Sequence, residues 1–339
     1  MVESERDNSP LKDVMTLSNV APPARGERIL GGLWGSLVGD ALGVPVEFKD
    51  RVTVQADPVK DMLGFGTHRQ PPGTWSDDSS LLLCSTESLL HREFDTEDMG
   101  MRFVRWRREE IWTPHGRVFD IGVTTSHALA LIAQGVRAEV AGSDDQFSNG
   151  NGSLMRILPV SLRFAVAPTN QLIDRIHRAS AITHRHPRSQ MACAFFTLVG
   201  RELLNGKSAP ESFANGLSAF RSHYESETWW AAEYDYFQLL LAGDLANRTE
   251  REIDSSGYVM HTLAASLWCL LTTSSFQECV LKAVNLGGDT DTTGCVAGGL
   301  AGVHYGLAGI PKSWRAVLAR HDEIEILFNR FAETISIPT

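Results

Sequence analysis

From Ile29 onward, apolar residues recur at the spacing of an α-helix through most of the chain, and few stretches alternate as strands do. The spacing predicts helices over residues 81–90, 99–111, 123–134, 171–182, 190–204, 229–242, 260–271, 276–284 and 293–305. Loops rich in Gly, Asn, Asp and Pro join these segments. None of them has the composition of a linker that would split the chain, and no internal repeat is present. The expectation is one all-α domain of roughly ten or more helices. A chain of 339 residues is long enough to bury a substantial core.

Glycine adds a second constraint. Gly31, Gly32, Gly35, Gly39 and Gly43, and later Gly287, Gly288, Gly294, Gly298, Gly299 and Gly302, lie in otherwise apolar segments. A glycine inside a helix costs about 1 kcal/mol relative to alanine. A chain that accepts this cost repeatedly is expected to pack helices closely where the glycines fall, as at an ordinary helix crossing.

Charge and cysteine usage narrow the function classes. With 31 Lys and Arg against 41 Asp and Glu, the formal net charge is −10. That balance argues against broad binding to nucleic-acid phosphates or anionic lipid, and it suits a protein that holds cations through carboxylates. The cysteines are Cys84, Cys193, Cys269, Cys279 and Cys295, an odd number without CxxC spacing. No disulfide framework is expected, and a reducing, cytoplasmic location is. Residues Met1 to Asp7 lack a basic segment followed by an apolar one, so no signal peptide is expected. No uncharged apolar run reaches the ~18 residues of a membrane span, and the longest lies around Leu263 to Leu271. Residues 1–26 are polar, with a weak apolar patch at Leu11, Val14, Met15 and Leu17. They read as a flexible arm, or as one that docks on its own core or on a partner.

The chemistry concentrates in two acidic turns. In Gly73-Thr74-Trp75-Ser76-Asp77-Asp78-Ser79-Ser80, Ser76 is a good N-cap and the two Asp residues occupy a first helical turn. Capping and the positive helix end would by themselves favour acids there. In Asn285-Leu286-Gly287-Gly288-Asp289-Thr290-Asp291-Thr292-Thr293-Gly294, Asp289 and Asp291 are too close in sequence to share a helix face. In a loop led by two glycines both can point inward, and this density of Asp and Thr exceeds what a cap needs. Brought together, four Asp carboxylates would repel unless cations neutralised them. An all-oxygen donor set selects Mg²⁺, Mn²⁺ or Ca²⁺ over zinc. A pair of such ions can orient substrate oxygens and activate a water.

Three weaker signals accompany these turns. Ser148-Asn149-Gly150-Asn151-Gly152-Ser153-Leu154-Met155-Arg156 has alternating glycines that expose backbone N–H groups ahead of a helix-like stretch. It reads either as a plain turn or as a cradle for phosphate oxygens. In Ile182-Thr183-His184-Arg185-His186-Pro187, His184 or His186 could contact a nucleotide, although a histidine near such a turn is commonly structural. Asp40, Glu47 and Asp120 are acids among apolar neighbours, and each needs a partner or a chemical role.

Taken in order, these motifs resemble the ADP-ribosylglycohydrolase family, which includes the dinitrogenase reductase-activating glycohydrolase and the ADP-ribosylarginine hydrolases. The resemblance runs from about Ile29 to Tyr305. It rests on Gly39-Asp40-Ala41-Leu42-Gly43 with Glu47, Asp77-Asp78, Asn151-Gly152-Ser153-Leu154-Met155-Arg156, Thr183-His184, Gly257-Tyr258-Val259 and Gly287-Gly288-Asp289-Thr290-Asp291-Thr292. It implies an all-α orthogonal multi-helix bundle over residues 27–339 with a centre for two divalent cations, Mg²⁺ or Mn²⁺. The implied metal ligands are Ser76, where the family often has Thr, with Asp77, Asp78, Asp289, Asp291 and Thr292. Glu47, Asp78 and Asp291 are the implied catalytic carboxylates. Asn149, Gly150, Asn151, Gly152 and Ser153 would line the pocket for the pyrophosphate and distal ribose, His184 would lie beside the nucleotide, and Tyr258 would border the adenine. Asp120 would face the guanidinium in an arginine-specific member.

The implied activity is metal-dependent hydrolysis that frees ADP-ribose from an ADP-ribosylated protein. Arginine is the favoured linkage, with serine-linked or small ADP-ribosyl substrates as the alternative. The reaction would reverse either regulatory or toxin-catalysed modification. In the second case the chain would be an immunity protein, and the arm could bind the toxin. The carboxylates alone also permit a two-metal phosphoesterase. A non-catalytic binding homologue is the remaining reading, but its signature would be loss of the metal-site Asp residues, and all four are present.

Overall fold

The computed structural model describes residues 22–225 and 230–336. The chain opens with α1 (Arg25–Gly43), α2 (Arg51–Ala56), α3 (Asp77–His91), α4 (Thr96–Glu109), α5 (Val123–Ile132) and α6 (Ala138–Ala141). It continues through α7 (Leu158–Arg163), α8 (Thr169–Ala181), α9 (Pro187–Leu204), α10 (Ala209–Tyr224), α11 (Ala231–Tyr234) and α12 (Gln238–Leu241). It closes with α13 (Val259–Leu271), α14 (Phe276–Val284), α15 (Thr290–Tyr305), α16 (Lys312–Ala316) and α17 (His321–Ser336). Among the described residues there is no strand, and extended pairing is confined to isolated bridges such as Gly150 with Tyr258. The fold is the expected all-α, single-domain bundle. Residues 1–21, which carry most of the expected arm and its apolar patch, lie outside the described residues, and α1 begins at Arg25.

Helical periodicity locates most elements, with instructive differences. Helices α3 and α15 begin at Asp77 and Thr290, ahead of their first periodic apolar residues, because acidic and hydroxyl residues supply their first turns. The stretch 229–242, expected as one helix, is described from Trp230 onward, and there it is α11, a 3₁₀ turn at Asp235–Phe237, and α12. Helix α11 buries none of its residues, whereas Phe237, Leu240 and Leu241 are buried. These three keep the i, i+3, i+4 spacing of a single buried helix face, so the apolar pattern runs on through the 3₁₀ turn.

Helix α1 occupies the centre. With the following turn it is long and apolar enough to cross a membrane, but 94% of that window is buried in the bundle, so its hydropathy is that of a core helix. Trp34 packs edge-on against Phe328 of α17, with ring centroids 5.5 Å apart. Its closest neighbour is α15, which runs antiparallel to it through the glycines. A Cβ placed on Gly31 would lie 2.2 Å from the carbonyl oxygen of Gly302, one on Gly35 2.2 Å from that of Gly298, and one on Gly39 1.9 Å from that of Gly294. The two backbones touch directly, so every added methyl would collide with a carbonyl that cannot swing away. At the end of the seam Gly43 meets the backbone of Asp291, where a Cβ would come within 2.4 Å. The C-terminus of α1 is thereby fixed against the N-terminus of α15.

This seam predicts the effect of adding one methyl group. Gly35→Ala should destabilise the fold by about 3 kcal/mol or more in urea denaturation. Gly200→Ala in α9 should be neutral, or stabilising by up to about 1 kcal/mol, because its new Cβ would find only Leu300 Cδ2 at 3.9 Å. Equal effects at the two positions would contradict the seam.

Candidate metal centre and active site

Three helix ends converge where the seam closes. Asp40, in the last turns of α1, is fully buried and works as a fastener. Its carboxylate accepts from the Ser76 N–H at 2.9 Å, from the Ser79 N–H at 3.0 Å and from the Ser79 hydroxyl. It thus satisfies donors at the start of α3 that would otherwise be orphaned, and it ties that helix to α1. Burial pushes Asp40 up to about 6, against these hydrogen bonds. Ser76 is the N-cap of α3, accepting from the Asp78 N–H at 3.3 Å.

On the opposite wall, Gly287 and Gly288 both have left-handed backbones, with φ of 73° and 75°. Only glycine takes this pair of conformations cheaply. The turn is clamped to the segment after α1: the Phe48 N–H donates to the Gly288 carbonyl and the Gly288 N–H donates to the Lys49 carbonyl, each at 2.7 Å. This brings Glu47 over the turn. Oxygens of Glu47, Asp289 and Asp291 lie within 4.8 Å of one another. The two acidic turns meet directly, because the Thr292 hydroxyl donates to Asp78 Oδ1 at 3.4 Å.

The carboxylates surround a cleft of about 250 Å³ lined by Glu47, Asp77, Asp78, Asp120, Asp289 and Thr292 on its acidic side. Asp291 and Ser76 are buried and sit outside that lining. Burial, and then mutual repulsion, raises Asp77, Asp78 and Asp291 well above the ordinary carboxylate range. Burial likewise raises Asp120, and it pushes Glu47 up to about 7 against a short contact from Glu47 Oε2 to His68 Nε2. That hydrogen bond in turn raises His68. Two acceptor atoms here, Asp78 Oδ2 and Asp289 Oδ1, are buried without any hydrogen-bond partner. Such orphaned anionic oxygens are costly unless something positive meets them. An all-oxygen donor set with unfilled lone pairs fits hard divalent cations.

The glycine-rich loop forms the far wall. Gly150, Asn151, Gly152 and His184 line the cleft. The loop is held by pairing with the segment before α13: the Asn151 N–H donates to the Gly257 carbonyl and the Val259 N–H to the Asn149 carbonyl, each at 3.0 Å. The Asn151 amide also donates to Asp289 Oδ2 at 2.9 Å, joining loop and acidic turn. Asn149 and Tyr258 open instead on an adjoining pocket with Gly150, Gly257, Phe147 and Arg188. Ser153 is fully buried, and its hydroxyl accepts from Ser180 at 2.9 Å, so its side chain does not face the cleft. His184 is buried, and burial pushes its imidazole down to about 3.

Some residues in or beside the cleft carried no sequence signal. His68 lies in a loop without periodicity, and its role as the partner of Glu47 arises only from tertiary packing. Phe48 and Thr125 line the cleft without belonging to any of the motifs, whereas Gly257, which lines it too, belongs to the Gly257-Tyr258-Val259 motif. His186, the alternative to His184, caps α9 by accepting from the Arg188 N–H at 3.2 Å, which is the structural role.

A family model described as ADP-ribosylglycohydrolase matches residues 21–337. The chain is 32% identical to the ADP-ribosylarginine hydrolase Tri1 of Serratia proteamaculans, over 89% of this chain and 78% of that protein. It is 30% identical to the ADP-ribosyl-[dinitrogen reductase] glycohydrolase of Rhodospirillum rubrum, over 90% of this chain and 94% of that one. A solved structure titled as an ADP-ribosylglycohydrolase-related protein complex superimposes with a TM-score of 0.77 at 34% identity, covering 92% of this chain and 99% of that chain.

A cluster of this kind should make stability depend on cations and protons. Excess Mg²⁺ or Mn²⁺ should raise the melting temperature, by about 2.7 kcal/mol of stability at 100 times the Kd, and Asp78→Asn should abolish most of the gain. In EDTA, the native cluster binds more protons than the unfolded chain between the ordinary carboxylate values and its raised ones. Its contribution to stability should therefore fall as pH rises from about 4.5 toward 7, and excess cation should flatten that slope. Thermal unfolding with and without chelator measures both effects.

Proposed function

Because the chain belongs to the ADP-ribosylglycohydrolase family, we propose that it hydrolyses the N-glycosidic bond between ADP-ribose and an arginine side chain of a modified protein. The observation that carries this reading is the convergence of the 77–78 and 289–291 turns on one cleft beside the glycine-rich loop. Similarity to a hydrolase named for ADP-ribosylarginine supports the linkage.

Ser76, Asp77, Asp78, Asp289, Asp291 and Thr292 would hold two divalent cations, Mg²⁺ or Mn²⁺, which when bound orient ribose hydroxyls and lower the cost of activating water. The loop at Gly150 to Gly152 suits the diphosphate. Among the described residues nothing accepts from the N–H of Gly150 or Gly152, so these donors remain for phosphate oxygens. The carboxylate-rich wall meets the positive charge that develops on the ribose as the C1–N bond breaks. Glu47, whose Oε2 pairs with His68, would take a proton from the attacking water. Asp120 would hold the guanidinium leaving group through charge-assisted hydrogen bonds. The hydroxyl of the water ends on C1 and its proton on the guanidine nitrogen, so free ADP-ribose and unmodified arginine result. The physiological role would be reversal of regulatory modification, or immunity to an ADP-ribosylating toxin bound through residues 1–26.

Mass spectrometry of arginine- and serine-linked ADP-ribosylated peptides tests the reading. The arginine-linked peptide should yield ADP-ribose and unmodified peptide, EDTA should stop the reaction, and free ADP-ribose should not be cut to AMP. Asp78→Ala or Asp291→Ala should lower kcat at least about a thousandfold, roughly 4 kcal/mol of barrier, with the circular dichroism of the fold retained. Asp120→Ala should lower kcat/KM for the arginine-linked peptide about tenfold more than for the serine-linked one.

A further inference from the structure

His184 presents an imidazole to the cleft between the acidic turns and the glycine-rich loop, and its surroundings dictate where its proton sits. The ring packs close under the loop: a Cβ on Gly152 would come within 2.8 Å of Cε1, and one on Gly150 within 3.6 Å of Nε2. Nε2 has no hydrogen-bond partner among the described residues, and the residue lines the cleft. The other nitrogen, Nδ1, lies 2.9 Å from the Thr183 hydroxyl. That hydroxyl is fully buried, and its only other partner among the described residues is Arg156, whose Nη2 donates to it at 2.8 Å.

The hydrogen-bond roles then follow by elimination. A guanidinium has donors and no acceptor. Thr183 Oγ1 must therefore accept from Arg156, and its own proton can reach only one acceptor, His184 Nδ1. The opposite tautomer would give Thr183 two donors to accept from and leave its buried O–H without a partner, a cost of about 1–3 kcal/mol. Arg156 is itself fixed. Both Nη atoms donate to the Ala179 carbonyl at 3.2 Å, its guanidinium carbon lies 4.7 Å from the centre of the Phe103 ring, and it is almost wholly buried.

We propose that Arg156 and Thr183 are positioning residues that lock His184 as a neutral imidazole with its proton on Nε2, aimed as a fixed donor at an anionic phosphate oxygen of the ligand in the Gly150–Gly152 loop. An imidazole with its proton on Nδ1 would instead present the Nε2 lone pair to a diphosphate oxygen and repel it. A locked donor removes that state. The diphosphate as ligand rests on the glycohydrolase reading, whereas the tautomer rests on Arg156, Thr183 and His184 alone.

Two measurements on the full chain test this. Long-range ¹H–¹⁵N correlation spectra, with the His184 ring assigned by its loss in His184→Gln, should show Nε2 protonated and Nδ1 bare. Thr183→Val, close in shape but without the hydroxyl, should shift that ring toward a mixture of tautomers and raise the Kd for ADP-ribose about tenfold. Thr183→Ser should restore both. A wild-type ring protonated at Nδ1, or a folded Thr183→Val protein with unchanged tautomer and affinity, would overturn the assignment. Inorganic diphosphate serves as the second probe. Binding of diphosphate but not of ADP-ribose would support the donor subsite while removing the glycohydrolase reading, and binding of neither would overturn the proposal.

Discussion

The antiparallel contact of α1 with α15 is the constraint on which the rest of the structure hangs. Glycines at Gly31, Gly35 and Gly39 face Gly302, Gly298 and Gly294 at distances that leave no room for a methyl group. Close approach of this kind gains dispersion and weak Cα–H···O contact along the whole crossing. It also removes the freedom of the two helices to slide, because each glycine fits only its own partner. The register therefore places Gly43 against Asp291, and with it Glu47 beside Asp289. A seam in the core thus sets the geometry of a site at its end.

The site holds more negative charge than a buried pocket can sustain bare. Asp40 shows how the chain handles an acid whose role is structural, since backbone and hydroxyl donors surround it. Asp78 and Asp289 each keep a buried oxygen without a partner, and the raised carboxylates around them share the same want of positive charge. The N-termini of α3 and α15 both point into this region and offset part of the repulsion, by up to about 1–2 kcal/mol each. The remaining repulsion is of the kind that bound divalent cations would relieve, and the all-oxygen donor set fits such ions.

Much of this is legible in the residues. Apolar spacing locates α9, α13 and α14 almost to their ends, since these helices have one buried stripe or are buried all round. The two acidic turns stand out because their carboxylates and hydroxyls exceed what capping requires. Periodicity reads 229–242 as one helix because it records which side chains are apolar and is blind to a 3₁₀ turn that leaves their spacing intact. Ser153 belongs to a motif whose glycines face the cleft, yet its own hydroxyl points into the core toward Ser180. A motif fixes neighbours along the chain, and side-chain direction depends on the packing beneath.

By itself the sequence determined the fold class, the glycine-rich segments, the four Asp residues of the centre and the loop that faces them, because composition and short-range spacing act within a few residues. Only the tertiary structure decided that Asp40 fastens one helix to another, that His68 pairs with Glu47, and that Arg156 reaches Thr183 behind His184. These pairings join residues 21 to 39 positions apart. The energy of a hydrogen bond or ion pair depends on separation in space and on burial, and chain spacing encodes neither until the helices have packed.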